Sequence, residues 1–202
     1  MLNIFARESV SRVTDPIGAW LVARGLTPNA VTVAGSAAAV GCAVWFLPRG
    51  QLFLGSALVT ACVLLDLIDG AMARAQGGGT KFGAVLDATC DRIVDGAVYC
   101  SLMWFAFASG DKATAFAGCI VVVGAEVISY VKARAEASGL NADGGLAERA
   151  ERFIIALVGA GFQDLGVPHL LAISMWILAV LVVVTIIQRL VSVRRSAREV
   201  GP

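Results

Sequence analysis

Four aspartates, Asp66, Asp69, Asp87 and Asp91, stand at helical spacing in a chain that is 58% hydrophobic. Steps of three and four residues place Asp66 with Asp69, and Asp87 with Asp91, on shared helix faces, at rises of about 4.5 and 6 Å. Carboxylates at or near membrane depth are costly, so such a group marks a functional site. Their oxygens form a hard ligand set, suited to magnesium or manganese with substrate phosphates completing the shell. The single histidine, His169, follows Pro168 in a loop between apolar segments. Acid or base chemistry therefore falls to the carboxylates. Gly70 and Gly83 leave room for a ligand or a facing backbone beside them. Arg74 offers a planar donor fork for phosphate or base edges. The plainer alternative is a charged interfacial loop with small residues for helix packing.

Elements that can hold this group are set by hydropathy. The 202 residues have a mean hydropathy of +0.80 and repeat uncharged stretches about as long as a bilayer is thick. The stretches are continuous rather than alternating, so the expectation is a single all-α integral membrane domain over residues 1–202. Six transmembrane helices are drawn at 28–48, 51–74, 82–108, 113–134, 148–164 and 169–189. The fifth has a short uncharged core, Phe153 to Gln163. Residues 1–24 mix Arg7, Glu8, Arg12 and Asp15 with Leu2, Ile4, Phe5, Val10, Val13, Ile17 and Trp20. That pattern predicts an N-terminal amphipathic, juxtamembrane helix lying in the interface rather than a signal peptide.

With six spans, Arg49 and Lys112 are the only ones of the 16 basic residues placed opposite the N-terminal face. The positive-inside rule then makes that face cytoplasmic. On it, Gly77 to Thr80 (GGGT) breaks the second helix from the third, and residues 138–145 form a second turn. Cys42, Cys62, Cys90, Cys100 and Cys119 lie in or beside the spans without a CxxC pair, so reduced, buried thiols are expected. Gly35, Ala39, Gly118 and Gly124 permit close helix approach. The formal net charge of +1 gives no case for nucleic acid.

Asp66, Asp69, Gly70, Ala73, Arg74, Gly83, Asp87 and Asp91 together spell DxxDGxxAR, eight residues, then GxxxDxxxD. This run resembles the signature of the CDP-alcohol phosphotransferase family without departure in residue type or spacing. The resemblance implies a six-helix membrane enzyme that moves a phosphatidyl or similar phosphoryl group from a CDP-activated donor to an alcohol, releasing CMP. It also implies that Asp66, Asp69, Asp87 and Asp91 hold two divalent ions, Mg2+ or Mn2+, and that Asp91 is the general base. The segment LTPNAVT, Leu26 to Thr32, carries a helix-entry signal in Thr27 and Pro28. By resemblance its Asn29, Ala30, Val31 and Thr32 line the CDP-donor pocket with Asp69, Gly70, Ala73, Arg74, Thr80 and Gly83. A homodimer in the bacterial inner membrane, with a complete cytoplasmic site in each protomer, is implied as well.

Acceptor identity is less constrained. Lys132, Arg134, Arg149 and Arg152 flank the 138–145 turn, and Arg189 ends the last span. Several cations favour a phosphorylated acceptor over a neutral alcohol, although positive-inside topology and anionic lipid also account for basic residues. Lys132, Arg152 and Arg189 are selected as acceptor-phosphate ligands because they sit at span ends. Asp95 continues the 87, 91 stripe outside the signature and is expected to pair with Arg92 or a neighbouring helix. The stretches FGAVLDATCDR, YVKARAEASG and GGLAERAER resemble family members that use an inositol phosphate. They imply transfer from CDP-diacylglycerol to D-myo-inositol 3-phosphate (inositol 1-phosphate). Glycerol 3-phosphate is the rival acceptor. A non-catalytic transporter, the remaining alternative, would call for internal repeats and helices interrupted at the midplane.

Overall fold

The computed structural model describes residues 14–200. Every regular element among them is helical: α1 (residues 14–23), α2 (Pro28–Phe46), α3 (Leu52–Ala75), α4 (Lys81–Ala108), α5 (Lys112–Ala137), α6 (Arg149–Asp164) and α7 (Leu170–Val200), with a 3-10 turn at Leu47–Arg49. Among the described residues four segments have the length and composition to cross a bilayer: Pro28–Arg49, Leu52–Ala75, Lys112–Ala137 and Leu170–Glu199.

The other two long helices fall short of that standard for different reasons. At 28 residues α4 is long enough, but Lys81, Asp87, Asp91, Arg92 and Asp95 crowd its N-terminal part. By contrast, the 16 residues of α6 reach about 24 Å, less than a hydrocarbon core of roughly 30 Å. The six expected spans coincide with α2 to α7, but the last helix runs past its expected end at 189 through Arg194, Arg195 and Arg198 to Val200. No glycine or proline interrupts it over that stretch.

The chain divides into two compact units, Met1–Cys42 with Leu58–Val94, and Ala43–Ala57 with Asp95–Pro202. In the first, α1 lies tightly on α3. A methyl group at Gly18 would fall 2.8 Å from the Met72 backbone nitrogen and 2.9 Å from the Ala71 carbonyl carbon, so only glycine permits this approach. Thr14 and Gly18 are buried, whereas Ile17 and Trp20 are exposed. The remainder of the expected amphipathic segment, residues 1–13, lies outside the described residues. The GGGT loop takes positive φ at Gly77 and Gly78, which closes the α3 to α4 turn.

In the second unit α5 packs on α7, with Val121, Ala125 and Ile128 buried, as are Met175, Leu178 and Val182. A methyl group at Gly124 would fall 2.5 Å from Val182 Cγ2, and one at Gly118 would fall 2.8 Å from Met103 Cβ. The expected small residues thus serve contacts within the chain. Asp111 caps α5, its Oδ1 accepting from the Thr114 N–H at 3.0 Å. The backbone N–H of Phe53 donates to Asp164 Oδ2 at 2.9 Å.

All five cysteines are free, but burial holds only for some of them. Cys90 is buried, Cys42 and Cys62 are half-buried, and Cys100 and Cys119 are exposed. A thiol behaves as a small apolar group, so the outward face of an apolar helix accommodates it.

Candidate active site

Within the first unit, α3 contributes Asp66 and Asp69, while α4 contributes Asp87 and Asp91. Asp69 is the most enclosed of the four at 8% exposure. Its Oδ2 accepts a short hydrogen bond from the Thr32 hydroxyl, which also lies 3.1 Å from the Pro28 carbonyl oxygen. This contact joins the LTPNAVT segment on α2 to the first half of the signature. Asp87 on α4 lies within electrostatic range of Asp69 on α3. Asp66 sits beside the bare backbone of Gly35, where a methyl group would lie 3.6 Å from its Oδ1. Asp91 Oδ2 is 3.9 Å from Arg92 Nη2.

As placed, the side chains stop short of a closed cage: among the described residues no three histidine, cysteine, aspartate or glutamate side chains are grouped tightly enough to hold a metal ion. Like-charged carboxylates repel, which opposes convergence of four of them. The donor set nevertheless consists of carboxylate oxygens with the Thr32 hydroxyl beside them, and this chemistry fits a hard divalent cation.

Further donor-site residues gather around Gly83. A methyl group there would lie 3.1 Å from both Asn29 Oδ1 and Thr80 Oγ1, so these side chains share the space that glycine leaves. Thr80 has a local task too, accepting from the Gly83 N–H at 2.9 Å as α4 begins. Thr27 acts similarly at the start of α2, its Oγ1 lying 3.3 Å from the Ala30 nitrogen. Ala30 is exposed, and Val31 and Ala73 are half-buried. Arg74 reaches along α3 so that a methyl group on Gly70 would lie 3.7 Å from its Nη1. Its Nη2 donates to Asp15 Oδ1 at 2.8 Å. Asp15, a partner absent from the signature, belongs to the segment that sequence reading treats only as an interfacial helix.

The basic residues proposed for the acceptor lie in the second unit and are held in quite different ways. Arg152 is 1% exposed. Its Nη1 donates to the Ala147 carbonyl at 2.9 Å, and its Nη2 lies 3.5 Å from Asp95 Oδ2. Among the described residues, its Nε is buried without a hydrogen-bond partner. Arg189 donates from Nε to the Gly144 carbonyl at 3.2 Å and from Nη1 to the Ile128 carbonyl at 2.8 Å. Both arginines thereby fasten the loop between α5 and α6. Lys132, one turn beyond Ile128, is half-buried, its Nζ 4.0 Å from Glu136 Oε1.

Asp95 pairs with a neighbouring helix, one of the two expected outcomes. Wholly buried, it accepts from Arg149 Nε at 2.9 Å while facing Arg152. Arg149 also lies over the Phe153 ring, 4.9 Å from its centroid, and Tyr99 meets that ring edge-on at 5.9 Å. Arg149 is the residue that sequence reasoning passed over. The 87, 91, 95 stripe was the available signal for Asp95, but nothing local named its partners.

A sequence profile of the CDP-alcohol phosphatidyltransferase family matches residues 25–193. The phosphatidylinositol phosphate synthase of Mycobacterium bovis is 52% identical over 199 residues, covering 96% of this chain and 92% of that protein. The Corynebacterium glutamicum enzyme of the same name is 42% identical, covering 97% and 90%. The crystal structure of the Mycobacterium tuberculosis synthase with CDP-DAG bound superposes with a TM-score of 0.90 at 51% identity, covering 95% of this chain and 98% of that one. A second structure of that synthase, in complex with manganese and citrate, gives a TM-score of 0.90 at 50% identity, covering 94% and 93%.

Proposed function

This chain belongs to the CDP-alcohol phosphatidyltransferase family, and from that premise we propose that it is a phosphatidylinositol phosphate synthase. It transfers the phosphatidyl group of CDP-diacylglycerol to D-myo-inositol 3-phosphate and releases CMP. The observation that carries the acceptor choice is the buried guanidinium of Arg152, which shares one carboxylate with Arg149 and keeps an unpartnered N–H. A buried charge without full compensation is costly. An anionic group on the acceptor would supply that compensation, whereas a neutral alcohol would not.

Asp66, Asp69, Asp87 and Asp91 would hold the divalent ions, magnesium or manganese, two per site. Bound there, the ions would offset charge on the transferring phosphorus and on the departing phosphate. Asn29, Ala30, Val31, Thr32, Asp69, Gly70, Ala73, Arg74, Thr80 and Gly83 bind the CDP donor. Asp91 takes the proton of the acceptor hydroxyl as its oxygen bonds to the phosphatidyl phosphorus. The phosphoanhydride bond then breaks and its electron pair leaves with CMP. Lys132, Arg152 and Arg189 hold the phosphate already on the inositol.

The same reading makes α2 to α7 six spans of the bacterial inner membrane, with the donor site on the cytoplasmic face. Exposed Ile17 and Trp20 support an interfacial position for α1. It also makes the working form a homodimer. The test is Asp91→Asn. Incorporation of labelled inositol phosphate into extractable lipid is expected to fall at least about a hundredfold, the lower range for loss of general-base catalysis. Folding and CDP-diacylglycerol binding should persist. Ordinary turnover in that variant overturns the assignment of Asp91.

A further inference from the structure

The guanidinium of Arg74 is held at one end of its fork. Nη2 donates to Asp15 Oδ1 on α1 at 2.8 Å, while Nη1 runs back along α3 past Gly70, at ordinary contact distance from where a side chain there would begin. Asp15 is itself held in place by the docking of its helix. Gly18, three residues on, meets the backbone of Ala71 and Met72 at a separation that no larger residue allows, and both of those residues are buried. The contact locks α1 against the stretch of α3 that carries Gly70, Ala73 and Arg74.

Stability does not account for this ion pair. Arg74 and Asp15 are 58% and 51% exposed at the side chain, and exposed pairs contribute little to folding. What such a tether does is restrict a long, rotamer-rich side chain before a ligand arrives, which lowers the ordering cost of binding. The donor therefore meets an oriented set of N–H groups rather than a mobile side chain.

We infer that Asp15 is a positioning residue for donor recognition, acting through Arg74, so that donor affinity depends on the docking of α1. The inference rests on the reading of Arg74 as a donor-binding residue. Its test is steady-state kinetics of the full-length protein in mixed micelles, comparing wild type, Asp15→Asn, Arg74→Ala and the double variant. Asp15→Asn is expected to raise the KM for CDP-diacylglycerol about fivefold, the scale of an exposed ion pair. Its kcat, acceptor KM and Tm should stay unchanged. Arg74→Ala should raise donor KM further, and Asp15→Asn should add nothing in that background.

An unchanged donor KM in Asp15→Asn, or an effect of that substitution persisting without Arg74, overturns the inference while leaving the donor site intact. An unchanged donor KM in Arg74→Ala overturns the reading of Arg74 itself, and the inference with it.

Discussion

Asp15 and Asp95 both lie outside the signature and both hold arginine, yet their surroundings are opposite. Asp15 pairs with Arg74 in the first unit with half of each side chain exposed. Asp95 is wholly buried in the second unit, with Arg149 at 2.9 Å and Arg152 at 3.5 Å. Water can replace either partner of the first pair at little cost to folding, so what that pair contributes is the placement of Arg74 rather than stability. Removing the carboxylate of the second leaves the enclosed guanidinium of Arg152 without its counter-charge. Asp15 is thus expected to affect binding with folding unchanged, and Asp95 to affect folding before it affects binding.

The largest effect should come from Asp95→Ala. Breaking a buried pair costs about 3–5 kcal/mol, and thermal unfolding in detergent should show a large fall in Tm, beside none for Asp15→Asn. Equal behaviour of the two variants would erase the contrast. Next comes Arg152→Lys, which keeps a charge for Asp95 and loses the planar fork. Loss of a hydrogen bond to a charged group, about 1.5–3 kcal/mol, predicts a rise of roughly tenfold or more in acceptor KM. Donor KM should stay put, and a donor-side effect would refute the acceptor assignment.

Sharper still is the salt dependence of the exposed pair. The donor KM difference between wild type and Asp15→Asn should shrink as ionic strength rises toward 1 M, where the screening length is about 3 Å.

The smallest effect concerns Asp111, where no substrate is involved. The Thr114 hydroxyl and backbone N–H favour its charged form and hold its pKa below the ordinary 3.8. Depression by folding means that its contribution to stability is fully present above 3.8 and is lost as pH falls through the lower folded value. Asp111→Ala should cost up to about 1 kcal/mol as a helix cap. The Tm deficit relative to wild type should be constant above pH 5 and narrow below pH 3.8; a constant deficit down to pH 2 would contradict the capping account.

The helices themselves were legible because uncharged length and local breakers are properties of neighbouring residues. Pro28, the GGGT loop and the start of the 138–145 turn mark boundaries that the structure meets within a residue or two, whereas the non-helical stretch after that turn runs on to 148. The end of α7 was not legible, since the apolar run stops near Arg189 while nothing in the following polar stretch breaks a helix. Thr32 beside Asp69 follows from two recognisable motifs. Asp15 with Arg74, and Asp95 with Arg149, join residues more than fifty positions apart. Charge and spacing along one helix cannot name a partner on another. Burial was also hidden: Arg152 and Lys132 read alike as basic span-end residues, yet one is enclosed and the other only half-buried.

The most direct measurement is metal-dependent CMP release by the purified protein with CDP-diacylglycerol, comparing inositol 1-phosphate, free inositol and glycerol 3-phosphate. Release with inositol 1-phosphate alone is the predicted result. Preference for glycerol 3-phosphate or free inositol would contradict the acceptor assignment, and no CMP release with any of the three would contradict the proposed reaction as a whole.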